Sequence, residues 1–246
     1  MASVRVLEEM PELGAGLNGD ALAAARRVPA PVVRVPEGPV GFDAELGAAV
    51  GSLGLLVLGG LLLRRLEVLG TVVCTELLGP GNLLRPWTQD DGSASVPAEA
   101  HWECILDGQL AVLDGRFASE VARWPSVAAA LIEKAVQRSR SMHFQLAVCH
   151  LTRIEERLLI TFWHLADRFG RMTAQGVTLP LPLPHRTLAS IVGARRPSVT
   201  SALTALREEG TVERTEDGWL LRGQAPEQLG RLRRDSALPP PRSLSD

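Results

Sequence analysis

The period of the apolar residues changes at Asp114. Before it, apolar side chains come in short runs, LGLLVL, LLLRRLEVL, TVVCTELL, WECILD and QLAVLD. Turn formers punctuate these runs at Gly59-Gly60, Gly70, Gly79-Pro80-Gly81, Asp90-Asp91-Gly92 and Asp107-Gly108. After Asp114 the apolar positions recur every three to four residues. Short runs closed by turn signals are the mark of a half-buried antiparallel sheet, and a recurrence of 3.6 is that of amphipathic helices. The spacing therefore predicts an α+β chain: an N-terminal antiparallel β-roll or sandwich, such as a jelly roll, over about the first half (1–125), then helices. The stretch VPAPVVRVPEGPVGF adds edge strands near the start, and a short helix is expected between Leu7 and Arg27.

Residues 46–63, LGAAVGSLGLLVLGGLLL, carry no charge and are long enough for a membrane-spanning helix. Their glycines favour buried strands joined by tight turns, so no membrane partner is expected. The start, MASVRVLEEMPELG, has acids and no apolar core, unlike a secretory signal. Three cysteines, Cys74, Cys104 and Cys149, are far apart and form no CxxC pair. That pattern suits reduced thiols in a cytoplasm and implies no metal and no cofactor. His101, His143, His150, His164 and His185 are scattered, and no nucleophile elbow, phosphate loop or catalytic constellation occurs; catalysis is not expected.

The helical half divides further. GRFASEVARWP reads as a short helix stopped by Pro125, and a longer helix follows from Ser126 to Leu151. Within it Ile132, Ala135, Ser139, Met142, Leu146 and Cys149 alternate by three and four, the seam of a coiled coil. Such a stripe packs on a second copy or on the chain's own β-domain. The face with Lys134, Arg138 and His143 is polar and would suit solvent, which favours a homodimer seam. RIEERLLITFWHLADRFG is an amphipathic helix closed by Gly170, and the alternate prolines of VTLPLPLP suit an extended edge strand. APEQLGRLRRDSALPPPRSLSD loses periodicity, so 224–246 is expected to be a mobile tail.

Between these, over 152–223, two helices with a tight joint can be read. HRTLASIV turns Leu188, Ile191 and Val192 inward, Gly193 allows the turn, and RPSVTSALTALREEG sets Val199, Ala202, Leu203 and Leu206 on one stripe. The other side of that second helix holds Pro197, Thr200, Ser201 and Thr204, with Arg195, Arg196 and Ser198 at its N-terminal end. Small hydroxyl residues let a helix sink into the major groove of duplex DNA, and arginines at its positive end reach phosphates or guanine edges. His185 or Arg186, opening the first helix, could meet a phosphate. TVERTEDGWLLR then reads as a hairpin turning at Asp217-Gly218. The formal charge of −2 gives no global sign of a nucleic-acid partner, so this basic surface is local.

ERLLITFWHLADRFG, LASIVGARRPSVTSALTALREEG and TVERTEDGWLLRG, in this order over Glu156 to Gly223, resemble the Crp/Fnr family of transcription regulators. The resemblance implies a β-roll sensor, a dimerisation helix over 126–151 and a winged helix-turn-helix. It implies two recognition helices about 34 Å apart on a near-palindromic operator, with RNA polymerase as a further partner. The family's first recognition-helix Arg falls on Arg196, whereas its base-reading Glu and later Arg fall on Pro197 and Ser201. The family's binding mode carries over, but not its usual target sequence. In cyclic-nucleotide binders of the family a Gly-Glu pair holds the ribose. Arg85-Pro86 stand there in GPGNLLRPW, with no Arg-Ser phosphate segment after them, so cAMP is not expected as effector. Arg85 and Trp87 remain candidates for the pocket of an unknown small-molecule effector, if one exists. The cysteine pattern of oxygen-sensing members is missing. A rival from another class makes the β-domain a cupin-like small-molecule-binding or metal-dependent enzyme and the helices an oligomerisation module.

Overall fold

A computed structural model describes residues 2–42, 51–86, 96 and 98–225. Trp87, the Asp90-Asp91-Gly92 turn signal and nearly all of the expected tail lie outside the described residues. The described residues form an antiparallel β-domain, a run of helices and a small second sheet threaded by two further helices. This is the expected α+β organisation.

The chain opens with β1 (Ser3–Arg5), α1 (Val6–Glu9), a 3₁₀ turn at Pro11–Gly14 and α2 (Gly19–Arg26). The short helix expected before Arg27 is thus two helices and a turn. There follow β2 (Pro29–Val35), β3 (Gly38–Val40), β4 (Gly54–Val68), β5 (Thr71–Leu78), β6 (Leu83–Leu84) and β7 (Ala98–Leu113). The sheet runs β1-β2-β7-β4-β5, with β3 on β7 and β6 on β4, every pairing antiparallel.

Two expected turns are not turns. Gly59-Gly60 lies within the single strand β4, and Asp107-Gly108 lies within the single strand β7. The two strands pair with each other along nearly their full length, with register shifts between Val57 and Leu62. Gly60, at φ +84°, is where β4 bulges. A Cβ there would stand 2.4 Å from both the Asp107 carbonyl oxygen and Gly108 Cα. Glycine supplies a bulge here because the backbones of the paired strands come too close for a side chain. The hairpin turn comes later, at Leu69-Gly70, both with positive φ.

Alternation along these strands feeds two cores. Leu56, Ala111 and Leu113 join Val6, Leu7, Phe117 and Val121 on one face. Leu55, Val57, Leu110 and Val112 join Val35, Leu62, Leu78 and Cys104 on the other. A strand covered on both sides reads as a continuous apolar run, which is why 54–63 looks like a membrane span in sequence. Among the described residues no helix is long and apolar enough to cross a membrane.

Asp114 caps α3 (Gly115–Val121), its carboxylate accepting from the Phe117 amide at 2.8 Å. Pro125 then opens α4 (Pro125–Cys149), close to the expected helix. Val127, Leu131, Lys134 and Arg138 share its inward face. Val127 and Leu131 are buried in the first core. Lys134 donates to Glu12 at 3.0 Å. The Arg138 guanidinium forks onto both carboxylate oxygens of Glu76, at 2.6 and 2.8 Å, and donates to the Leu83 carbonyl at 3.2 Å. Arg64 reaches the same carboxylate at 3.3 Å. The face expected to suit solvent through Lys134 and Arg138 is instead bound to the β-domain, because Glu12 and Glu76, distant in sequence, wait opposite it. The seam side is the one left open: Ile132 is 64% and Leu146 50% exposed. Beside it runs an apolar groove of about 420 Å³, lined by Leu53, Leu83, Leu131, Ile132, Ala135 and Val136 among others.

Two compact units, Met1–Phe144 and Gln145–Asp246, divide within α4. The second contains α5 (Ile154–Phe169), β8 (Arg171–Thr173), β9 (Gly176–Leu179), α6 (His185–Ile191), α7 (Arg196–Glu208), β10 (Val212–Arg214) and β11 (Trp219–Leu221). Its sheet order is β10-β11-β9-β8, so β9 is an inner strand and not an edge. Its prolines lie past the strand end, where Leu181 N donates to the Leu179 carbonyl and Leu183 N to that of Leu181, each at 2.8 Å. These are three-residue turns centred on Pro180 and Pro182, whose rings hold the φ they need. They bury Leu179, Leu181 and Leu183 on one side.

Candidate nucleic-acid interface

The two-helix unit forms where the sequence places it. Leu188 and Ile191 from α6, Val192 just after it, and Val199, Ala202, Leu203 and Leu206 from α7 are all buried, as is Phe162 of α5. Gly193, at φ +61°, makes the joint between the helices. Trp219 of β11 seals the far side, its ring 5.0 Å from that of Phe162, with the Arg214 guanidinium 4.8 Å over it. Arg214 also donates to the Leu183 carbonyl at 2.8 Å, tying the hairpin to the Leu-Pro segment. Val212 to Arg214 pairs with Trp219 to Leu221, and the turn between them closes through Thr215 N on the Gly218 carbonyl, as the hairpin predicted.

The outer face of α7 carries Pro197, Thr200, Ser201 and Thr204, all exposed, with Ser198 half-buried beside them. Arg195 and Arg196, also exposed, stand at its N-terminus, which has no side-chain cap and no acid in its first turn. That end keeps its positive partial charge and unpaired amides, the arrangement that receives phosphate. The three hydroxyls of the face are turned back on the helix: Thr200 onto the Arg196 carbonyl, Ser201 onto Pro197 and Thr204 onto Thr200, at 3.1, 3.3 and 3.1 Å. Back-bonding of this kind keeps a helix surface low. Arg186 is exposed at the start of α6, but His185 is half-buried and its Nδ1 lies 3.0 Å from Thr200 Oγ1. Burial first, then the positive charges of Arg214 and Arg196, hold the His185 pKa below the ordinary histidine value.

Sequence reasoning missed the residues that fix the joint. Arg157 of α5 donates to the Leu151 carbonyl at 2.7 Å and, through Nη1, to those of Val192 and Gly193 at 3.2 Å each. Gln145 donates to the Ile191 carbonyl at 3.1 Å, and the Cys149 thiol points to the same oxygen at 3.6 Å. Burial raises the Cys149 pKa, which keeps it a thiol with a proton to offer. Carbonyls at the end of α6 thus receive side-chain donors where the helix can no longer supply its own. In sequence Arg157 is one arginine in an acidic helix start and gives no signal of this.

Of the seam residues, Ile132, Ala135, Ser139 and Leu146 are exposed, Met142 and Cys149 half-buried. Arg85 is exposed, and its side-chain stem lies where a Cβ on Gly54 would touch it. Trp102 stacks edge-on with Phe42 at 5.0 Å, with Arg64 over its ring at 5.9 Å. Among the described residues no group of three metal-ligating side chains stands together.

Residues 156–232 match the family model of the Crp-like helix-turn-helix domain. This segment is similar to the DNA-binding domain of the Crp-type regulators. The chain is 28% identical over 179 residues to the cyclic AMP receptor protein of Thermus thermophilus, a match covering 72% of this chain and 77% of that one. Crp/Fnr-type folds also surround it among solved structures. A cyclic nucleotide-binding domain containing protein of Listeria monocytogenes superposes with a TM-score of 0.62 at 16% identity, over 88% of this chain and 97% of that chain. FixK2 of Bradyrhizobium japonicum does so with a TM-score of 0.60 at 16% identity, over 86% and 99%. A CRP/FNR-family transcriptional regulator of Thermus thermophilus gives 0.57 at 18% identity, over 83% and 98%.

Proposed function

We propose that this Crp/Fnr-type DNA-binding regulator acts as a homodimer on a near-palindromic operator in the cytoplasm, without catalytic activity and without responding to cAMP. The single observation that carries the proposal is α7: a low face of small hydroxyl residues behind an uncapped, arginine-led N-terminus. Arg195 and Arg196 supply contacts to guanine or phosphate, Arg186 a phosphate contact, and Pro197, Ser198, Thr200, Ser201 and Thr204 the shape of the fit.

Dimerisation is supported by the apolar seam of α4, whose Ile132 and Leu146 stand in solvent in a single chain, and by the groove beside it. A second copy of the helix, related by a two-fold axis, covers both and sets two α7 helices about 34 Å apart. The loss of the cAMP response is supported by Arg85-Pro86 in place of the ribose-binding pair. It is also supported by the charged groups between the β-domain and α4: Arg64, Glu76 and Arg138 are already committed to one another. A different effector or none, and contact with RNA polymerase, complete the proposal.

The test is selection of bound sequences from a random duplex pool by the purified full-length protein, without ligand, at about physiological salt. An enriched two-fold motif is the expected result, and absence of any motif under all effector conditions would reject the proposal. Arg196→Ala should then cost roughly 1–3 kcal/mol and relax preference at one position of each half-site. A loss uniform over all sequences would make Arg196 a phosphate contact instead.

A further inference from the structure

We infer that Thr200 offers its methyl group, not its hydroxyl, to the DNA bases, and that His185 is the positioning residue that makes it do so. The inference rests on the assignment of α7 as the DNA-reading helix. A threonine hydroxyl has one proton and two lone pairs. At Thr200 two protein groups compete for them: the Arg196 carbonyl at 3.1 Å and His185 Nδ1 at 3.0 Å. The carbonyl can only accept. If the proton goes there, the His185 Nδ1–H donates to the oxygen; if it goes to Nδ1, the imidazole holds it. In both tautomers the proton stays inside the protein, and no base acceptor can receive it.

Ser201 and Thr204 differ. Their hydroxyls back-bond to the Pro197 and Thr200 carbonyls alone among the hydrogen bonds seen here, and a rotation about χ1 frees them for a base. Thr200 has a second holder, brought from α6, fifteen residues earlier in the chain. That holder is itself fixed. His185 follows Pro184 at the start of α6, is half-buried, and its ring lies 6.3 Å from that of Trp219. Burial first, then the charges of Arg214 and Arg196, lower its pKa and favour the neutral ring.

With its proton held inside the protein, the hydroxyl has nothing to donate and can only accept, through a lone pair beside the His185 ring; the methyl is the group that sets this exposed residue apart from a serine. The apolar feature of the major groove is the C5-methyl of thymine, which distinguishes T from C. Thr200 therefore selects thymine at one position of each half-site, by contact and not by hydrogen bonding.

Duplex selection with full-length variants tests this. Thr200→Val, which keeps the methyl and loses the hydroxyl, should retain the thymine preference. Thr200→Ser, which keeps the hydroxyl and loses the methyl, should lose it. Replacing that thymine by uracil in the selected duplex should weaken the parent about fourfold, the worth of one buried methyl, and leave Thr200→Ser unchanged. His185→Ala should alter preference at the same position by releasing the hydroxyl, and His185→Asn, whose amide can still donate, should restore it. In a Thr200→Val background His185→Ala should change nothing there, a pattern that a general loss of fold would not give. The inference is overturned if Thr200→Ser keeps the preference while Thr200→Val loses it, or if uracil is bound as well as thymine. If the parent and every variant enrich no motif, the DNA-reading assignment falls, and the inference with it.

Discussion

Glu76 is the hub of the contact between α4 and the β-domain, and its replacement by Gln should unfold that domain more easily than any other single change among the three charges. The side chains involved are 7% exposed for Glu76, 14% for Arg64 and 18% for Arg138. Two guanidiniums, one from the strand and one from the helix, share the single Glu76 carboxylate. Glu76→Gln removes the carboxylate that both guanidiniums share. Removing one partner of a buried ion pair costs about 3–5 kcal/mol, most of it the stranded charge. Arg138→Met is milder, because Glu76 keeps Arg64 at 3.3 Å; loss of its charged hydrogen bonds costs about 2–3 kcal/mol. The double variant Glu76→Gln/Arg138→Met should be less damaged than the sum of the two singles, by about 0.5–3 kcal/mol of coupling. Urea titration of the full-length variants by circular dichroism reads this directly. With an m-value of about 2 kcal/mol/M, a loss of about 4 kcal/mol lowers the midpoint by about 2 M. A Glu76→Gln midpoint within about 0.25 M of the parent, or an Arg138→Met that is worse than Glu76→Gln, would refute Glu76 as the hub.

The two adjacent glycines of β4 should behave oppositely. Gly60→Ala meets backbone atoms at 2.4 Å with φ +84° and should prevent or severely weaken folding, whereas Gly59→Ala meets nothing within 4 Å and should be neutral or stabilise by up to about 1 kcal/mol; equal thermal midpoints would contradict the bulge. Ile132→Glu should convert the proposed dimer to a monomer in sedimentation equilibrium without lowering the stability of the single chain, and an undiminished dimer would remove the seam proposal. His164 and His185 both have pKa values below 6.5, chiefly through burial. Above that pH their contribution is fully present. As pH falls through their depressed folded values the unfolded chain binds protons that the folded domain resists, and stability is lost. The thermal midpoint should drop between pH 7 and pH 5, less so in His164→Phe; a flat profile would show that both histidines titrate freely.

What could be read in the sequence was what local spacing determines. The stripe of Val199, Ala202, Leu203 and Leu206 announces α7 because burial on a helix recurs at its own period. Gly193 announces the joint. Gly59-Gly60 misled because glycine marks turns and bulges alike, and only the partner strand β7 decides between them. Lys134 and Arg138 misled for a related reason: a charge on a helix reads as solvated until its counter-charge is located, and Glu76 lies 62 residues away from Arg138. The bond from His185 to Thr200 and the fork of Arg157 on the α6–α7 joint leave no periodic trace. Each is a single long-range contact between residue types common on any surface.

Gln145, Cys149 and the Leu151 carbonyl all belong to the bonding of the helix-turn-helix joint, although all three come before Thr152, where a reader of the sequence would choose to cut. A chimaera or an isolated DNA-binding fragment started at Thr152 would lose all three, leaving Arg157 with one carbonyl fewer and Ile191 with none of its side-chain donors. The natural graft point is therefore inside the long helix, just before Gln145, where an exchanged β-domain would arrive on a helix of its own and leave the DNA-reading head intact.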